Sequence, residues 1–220
     1  WNQPGDEGSR FSRSRVVMLP PIHQLDAPAN GEMAVQKHAE AEPVQLEGTG
    51  VELSGAWYFP IGQDVEDIYG GFARWMLEVT LPAPRGFAGW LGIGSMQVNG
   101  YSLCNGDCTR LNLIPAIVGI KKYTQWKEVL RPYLALGALS AWVVTQNYSP
   151  YVMQTAMDWS LGGIARVGIE YEEIGIRLAL FADYSYLRAN LVPACYCDQI
   201  CTNSADLSGI AVGLTVGYSF

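Results

Sequence analysis

From Val51 to Phe220 the chain is written in short segments of alternating apolar and small or polar residues, separated by turn formers, which is the period-two pattern of β-strands. Eight segments are legible, approximately Val51–Phe59, Gly70–Leu81, Phe87–Gly100, Arg110–Tyr123, Val129–Thr145, Asp158–Tyr171, Ile174–Leu187 and Leu207–Phe220. Their connections alternate in length: long at 60–69, 101–109, 146–157 and 188–206, short at PAPRG, YTQW and YEEI. An even number of strands with long loops at one end and tight turns at the other predicts an up-and-down antiparallel barrel.

The faces of the segments tell which side meets water. In the last one, Ile210, Val212, Leu214, Val216, Tyr218 and Phe220 share a face, and Gly209, Ala211, Gly213, Thr215, Gly217 and Ser219 share the other. Small residues suit a crowded interior better than a solvated exterior, so the greasy face is expected to point outward into lipid. In the other segments the second face carries charge. It collects Arg74, Arg131, Arg166 and Arg177 with Glu52, Glu78, Glu170 and Asp183. Charges inside a narrow barrel must pair, because an unpaired buried charge costs several kcal/mol, so the expectation is a lumen plugged by an arginine–carboxylate network. On the apolar face, Trp57, Phe59, Trp142, Trp159, Tyr184 and Tyr186 gather toward the long loops and Tyr171, Tyr218 and Phe220 toward the short turns, as two interfacial aromatic girdles would. Two segments are irregular. Trp90 and Met96 oppose Leu91 and Ile93 in the third, which predicts a bulge or slip; Pro115 stands in the fourth, which reads as apolar on both faces.

Composition agrees. The chain is 49% hydrophobic and 16% charged, below the roughly 25% usual for soluble proteins. No apolar run reaches the ~18 residues of a membrane helix. A net charge of −7 with scattered basic residues argues against nucleic acid as a partner. Residues 1–50 are rich in Pro, Gly, Glu, Ser and Ala without an apolar period, and read as an extended N-terminal arm beside a barrel domain at 51–220. The start at Trp1, without Met or a signal-like stretch, suits a processed or trimmed form. Five cysteines fall in two groups, Cys104 with Cys108 and Cys195 with Cys197 and Cys201, which points to disulfides or a thiolate metal site.

These segments, LNLIPAIVGIKKY and RPYLALGALSAWV among them, together with the aromatic end GLTVGYSF, resemble the small eight-stranded outer-membrane β-barrel superfamily of Gram-negative bacteria, which includes the OmpA transmembrane domain, OmpX and OmpW. The resemblance implies an outer-membrane location, periplasmic termini, extracellular long loops and lipid as the surrounding partner. It also implies that Tyr218 and Phe220 form the aromatic–x–Phe signal for the barrel-assembly machinery, although Thr215 stands where that signal usually has Gly. Both cysteine groups then lie in extracellular loops, where local disulfides outweigh a metal site, and one thiol is left over.

Three function classes bear on these residues. A hydrolase needs a nucleophile beside a base, and the two histidines, His23 and His38, lie in the arm, so no enzyme, catalytic residue, cofactor or metal site is expected. Transport of small solutes or hydrophobic ligands, as in OmpW-like proteins, is the alternative. The favoured reading is a structural, anchoring barrel within a larger outer-membrane or cell-surface assembly, meeting a protein partner through its arm or loops. Acidic Asp64, Glu66 and Asp67 in the first long loop read as solvated rather than as cation ligands.

Overall fold

The computed structural model describes residues 48–101, 106–126, 129–148, 153–190 and 204–220. The arm with His23 and His38, and Cys104, Cys195, Cys197 and Cys201, lie outside the described residues. The elements run β1 (Gly50–Pro60), α1 (Gln63–Tyr69), β2 (Phe72–Ala83), a 3-10 turn (Pro84–Gly86), β3 (Phe87–Tyr101), β4 (Cys108–Tyr123), β5 (Leu130–Tyr148), β6 (Met153–Glu173), β7 (Ile176–Ala189), the two-residue β8 (Ala205–Asp206) and β9 (Gly209–Ser219). Each of β1 to β7 pairs antiparallel with the next, and β9 closes the ring between β7 and β1. The result is a closed, eight-stranded antiparallel barrel, in which every long strand has two neighbours and no edge is left to aggregate.

The alternation of the chain is obeyed with the apolar face turned outward. Leu53, Trp57, Trp75, Leu77, Ile93, Val118, Leu136, Leu161, Leu180 and Leu214 are all exposed, while Glu52, Arg74, Glu78, Arg166, Glu170, Arg177 and Asp183 are buried. A water-soluble barrel would invert these two sets; hydrocarbon around the wall makes this arrangement the stable one. Among the described residues no helix is long and apolar enough to cross a membrane.

The short turns show why the chain reverses where it does. Ile174 (φ 51°) and Gly175 (φ 77°) are consecutive left-handed residues between β6 and β7, the backbone that a two-residue hairpin needs to match strand twist. Arg85 (φ 63°) and Gly86 (φ 73°) do the same work between β2 and β3.

Three expectations are corrected. The third strand carries no bulge: Phe87 to Met96 keep one register against both neighbours, with Ala88, Trp90 and Met96 buried and Leu91 and Ile93 exposed. Trp90 and Met96 are simply interior residues, and the small Gly92 and Gly94 between them hid the parity. The fourth strand is not apolar on both faces, because its inward side ends in Lys121 and Tyr123, both buried. The strands on the far side also extend beyond the segments read, β5 to Tyr148 and β6 from Met153.

The first long loop contains the helix α1, whose Val65 is buried while Asp64, Glu66 and Asp67 are exposed. Pro115 lies within β4 as expected, and the pairing of β3 with β4 is interrupted there. It runs to Ile93↔Ala116 and resumes at Met96↔Leu113. Proline has no N–H to give the ladder, and its ring needs the room that Gly94 leaves: a Cβ there would lie 3.2 Å from the Pro115 Cγ and 2.6 Å from the Trp75 carbonyl oxygen.

Candidate functional site

The interior divides into an ionic half toward the short turns and an apolar half toward the long loops. Strand parity delivers the charges from six different strands to the interior, in two adjoining knots. Arg166 on β6 is the centre. Its Nη1 donates to both Glu78 oxygens, at 3.0 and 2.8 Å, and its Nε donates to the Asp183 Oδ2 at 3.1 Å. The guanidinium lies 4.6 Å from the Trp90 ring centroid and 4.0 Å from that of Phe181. Glu78 also accepts from the Ser54 hydroxyl at 2.6 Å and the Trp90 indole at 2.7 Å. Asp183 is held from the other side by a two-bonded fork from Arg74, at 3.0 and 2.5 Å. Such bidentate pairs fix geometry as well as charge.

A second knot lies nearer the short turns. Lys121 Nζ donates to Glu52 at 3.1 Å and to the Thr80 hydroxyl at 2.9 Å, and the Thr80 hydroxyl donates to Glu52 at 2.9 Å. Arg177 reaches Glu52 at 3.4 Å, Glu172 at 3.5 Å and Glu170 at 4.0 Å, and Arg131 pairs with Glu172. Tyr123 donates to Glu170 at 3.1 Å. The ion-paired interior charges are therefore Arg74, Lys121, Arg131, Arg166 and Arg177 against Glu52, Glu78, Glu170, Glu172 and Asp183, in equal number. Lys121 and Glu172 join the set expected from the sequence. Parity alone would have found both, since Lys121 shares its face with Leu113 and Ile117, and Glu172 with Arg166 and Glu170.

Above this level the lining becomes apolar. Phe72, Met76, Met96, Leu113, Ile117, Leu139, Ile164 and Leu187 surround a cavity of about 20 Å³, with Arg74 and Ser185 also in its lining. That is room for about one water, in surroundings with few polar partners for it. The cavity is covered by Val65 of α1 and by Leu207. Leu207 is fixed by its N–H to the Leu187 carbonyl, at 2.9 Å, and by the Tyr58 hydroxyl, which donates to the Leu207 carbonyl. Ile61 N–H donates to the Ser208 carbonyl at 2.8 Å. In the same segment, hydrogen bonds from Ser208 hold Asp206 below the usual carboxylate range.

Beside Pro115 an interior cavity and an outer groove share a lining residue. Met76 lines the interior cavity and also the floor of a shallow outer groove formed by Leu53, Trp75, Leu77, Ile93, Gly94 and Ser95, about 280 Å³ in volume. One side chain thus separates the apolar interior from the lipid-facing surface, at the place where the β3–β4 ladder is interrupted.

The girdle residues Trp57, Phe59, Trp142, Trp159, Tyr184, Tyr186, Tyr218 and Phe220 are exposed on the outer wall, and Tyr171 is half-buried on it. Trp142 and Trp159 face each other across β5 and β6 edge to face, 5.8 Å apart, and Tyr218 and Phe220 pack likewise at 5.2 Å. Among the described cysteines, Cys108 is a free, exposed thiol, so no disulfide is supported at that position.

No protein-family model matches the chain, and no curated protein matches it in sequence. Solved structures do match in fold. The outer membrane protein OprG from Pseudomonas aeruginosa aligns with a TM-score of 0.54 at 14% identity, over 80% of this chain and 98% of its own. Ail, the attachment invasion locus protein of Yersinia pestis, aligns at 0.48 with 13% identity, over 80% and 100%. Neisserial surface protein A aligns at 0.47 with 13% identity, over 79% and 98%. The chain has the fold of the small eight-stranded outer-membrane β-barrels, the OmpA, OmpX and OmpW type that its strand pattern resembles.

Proposed function

We propose that the protein is a structural barrel of the Gram-negative outer membrane that conducts nothing along its axis. In this reading its long loops face outward, and its N-terminal arm, residues 1–50, or those loops serve a protein partner. One observation carries the reading: the interlocked cations and carboxylates between Glu52 and Asp183 fill the lumen at the level of Arg166 and Arg177, which are both 1% exposed. Opening a water path there would require separating buried ion pairs, at a cost of about 3–5 kcal/mol for each partner stripped. Planar-bilayer recordings of the purified protein are expected to show no steady conductance, and a stable open channel would overturn the proposal. Orientation is read separately. A membrane-impermeant maleimide is expected to label Cys108, kept as the single cysteine, in intact cells; labelling only after outer-membrane disruption would reverse it.

A second reading, sideways passage of a small apolar solute, draws on the Met76 wall. Here the apolar half of the lumen would exchange with the bilayer through the gap beside Pro115, with the ionic half as its closed floor. Met76→Ala is then expected to speed uptake of an apolar dye into the barrel, and Met76→Phe to slow it. Equal uptake by both variants would leave the structural reading alone.

A further inference from the structure

The chain carries a net charge of −7, yet the outward-facing positions of its eight strands carry Arg110, Lys122 and Arg188 and, among the described residues, a single carboxylate, Glu173. Glu173 lies at the short-turn end, where it accepts from Tyr171. The outer wall toward the long loops therefore carries two arginines, of which Arg188 stands opposite Asp206 of β8 and Arg110 has no carboxylate opposite it on either neighbouring strand. Arg110 is the better built of the two arginines there. It stands in one cross-strand row, Asn99↔Arg110↔Gln146, with Gln97↔Asn112 as the row beneath. Its Nε donates to the Asn99 side-chain oxygen at 2.9 Å, and its guanidinium lies 5.8 Å from the Tyr148 ring centroid. Tyr148 is itself held by the Gln146 side chain at 2.9 Å. These contacts fix the plane of the guanidinium and leave its two Nη groups without a partner among the described residues.

Height decides what these groups meet. Trp142 marks the aromatic girdle, and Gln146 lies four residues further along β5, about 13 Å along the strand and roughly 10 Å along the membrane normal at the usual barrel tilt. That distance carries the Arg110 row out of the hydrocarbon and into the headgroup layer. A forked guanidinium recognises phosphate through two parallel bonds, and side-chain amides, which donate and accept, suit hydroxyls and acyl-amide groups beside it. We propose that Asn99, Arg110, Asn112 and Gln146 form a binding site for the phosphorylated sugar headgroup of a glycolipid in the surrounding leaflet, with Arg110 on the phosphate and the amides on the sugar.

The inference rests on the membrane orientation proposed above. Nanodiscs, which offer lipid to both ends of the barrel, remove that dependence, while maleimide labelling of Cys108 tests orientation alone. The test is native mass spectrometry of the full chain in phosphatidylcholine nanodiscs containing lipid A, counting lipid A retained as detergent strips the belt. Wild type is expected to retain one lipid A, Arg110→Gln to retain it about tenfold less, and Asn99→Ala about threefold less. Arg110→Lys, which keeps the charge but loses the fork, is expected to fall between wild type and Arg110→Gln. Dephosphorylated lipid A and phosphatidylglycerol should each be retained at the Arg110→Gln level, the first lacking the phosphate and the second the sugar. Equal retention by wild type and Arg110→Gln would overturn the site. So would displacement of lipid A by equimolar soluble glucosamine 1-phosphate, which would make the ligand a free sugar phosphate rather than a lipid. Unchanged heat-dependent gel mobility shows that each variant is folded.

Discussion

Arg166 and Leu113 both point into the barrel, both are nearly inaccessible, and they hold the wall by different physics. Around Arg166, each strand is tied to others by directional bonds that leave no charge unpaired: β2 through Glu78, β7 through Asp183, β3 through Trp90. Around Leu113, the strands meet through apolar contact, and a cavity of about 20 Å³ is left unfilled. Hydrogen-bonded charges demand one geometry, whereas apolar contacts tolerate several. The ionic half is therefore the part of the barrel that sets strand placement, and the apolar half is where the interior can yield.

The sharpest break in that comparison is Arg166→Ala. It strands Glu78 and one side of Asp183 in a buried site, and is expected to cost about 3–5 kcal/mol, the range found when one partner of a buried pair is removed. Denaturant unfolding in lipid vesicles, followed by the gel mobility of the folded barrel, measures it. The double change Arg166→Met, Glu78→Gln should recover part of the loss, because it removes the stranded carboxylate and leaves Asp183 on its fork from Arg74. If it is worse than Arg166→Ala, the network does more than balance charge.

Leu113→Ala probes the other half. It removes buried methyl groups next to space that already exists, with an expected cost of about 2–3 kcal/mol, in the lower part of the usual range for such truncations. The enlarged cavity should bind a small apolar probe such as an alkylbenzene and regain part of that stability, a rescue that Arg166→Ala should not show. Rescue of both variants, or of neither, would erase the distinction between the halves.

How far the sequence disclosed this arrangement follows the same division. Closure, strand order and the outward turn of the greasy face were legible, because a period of two needs only the identity of each residue. Placement of Glu52, Arg74, Glu78, Arg166, Glu170, Arg177 and Asp183 inside the wall follows from the same parity. Partnership does not: which carboxylate meets which cation depends on register and shear, so Arg74 to Asp183, 109 residues apart, could not be read from spacing. Trp90 and Lys121 obey the same parity, but glycines beside the one and a mixed face around the other blur it. The apolar half was invisible for a different reason. Val65 and Leu207 come from loops with no period, and only the folded chain brings them over the same cavity.

Tyr58 stands at the boundary between the halves. Its ring packs on Phe72 with centroids 5.1 Å apart, and its hydroxyl lies 3.3 Å from the Ser185 Oγ and donates to the Leu207 carbonyl. Tyr58→Phe keeps the ring and deletes the bond, so the apolar packing is unchanged and the Leu207 carbonyl loses its side-chain donor. A cost of about 1 kcal/mol is expected, the net worth of one neutral hydrogen bond. The effect should be local. Amide exchange should quicken at Leu207 and Ser208, where the cover is tied down, and stay unchanged at Arg166 and Asp183. If exchange instead rises equally along β6 and β7, the cover and the ionic half unfold as one unit, and the interior has no yielding half. If nothing changes, the Leu207 backbone bond to Leu187 and the burial of its side chain hold the cover without Tyr58.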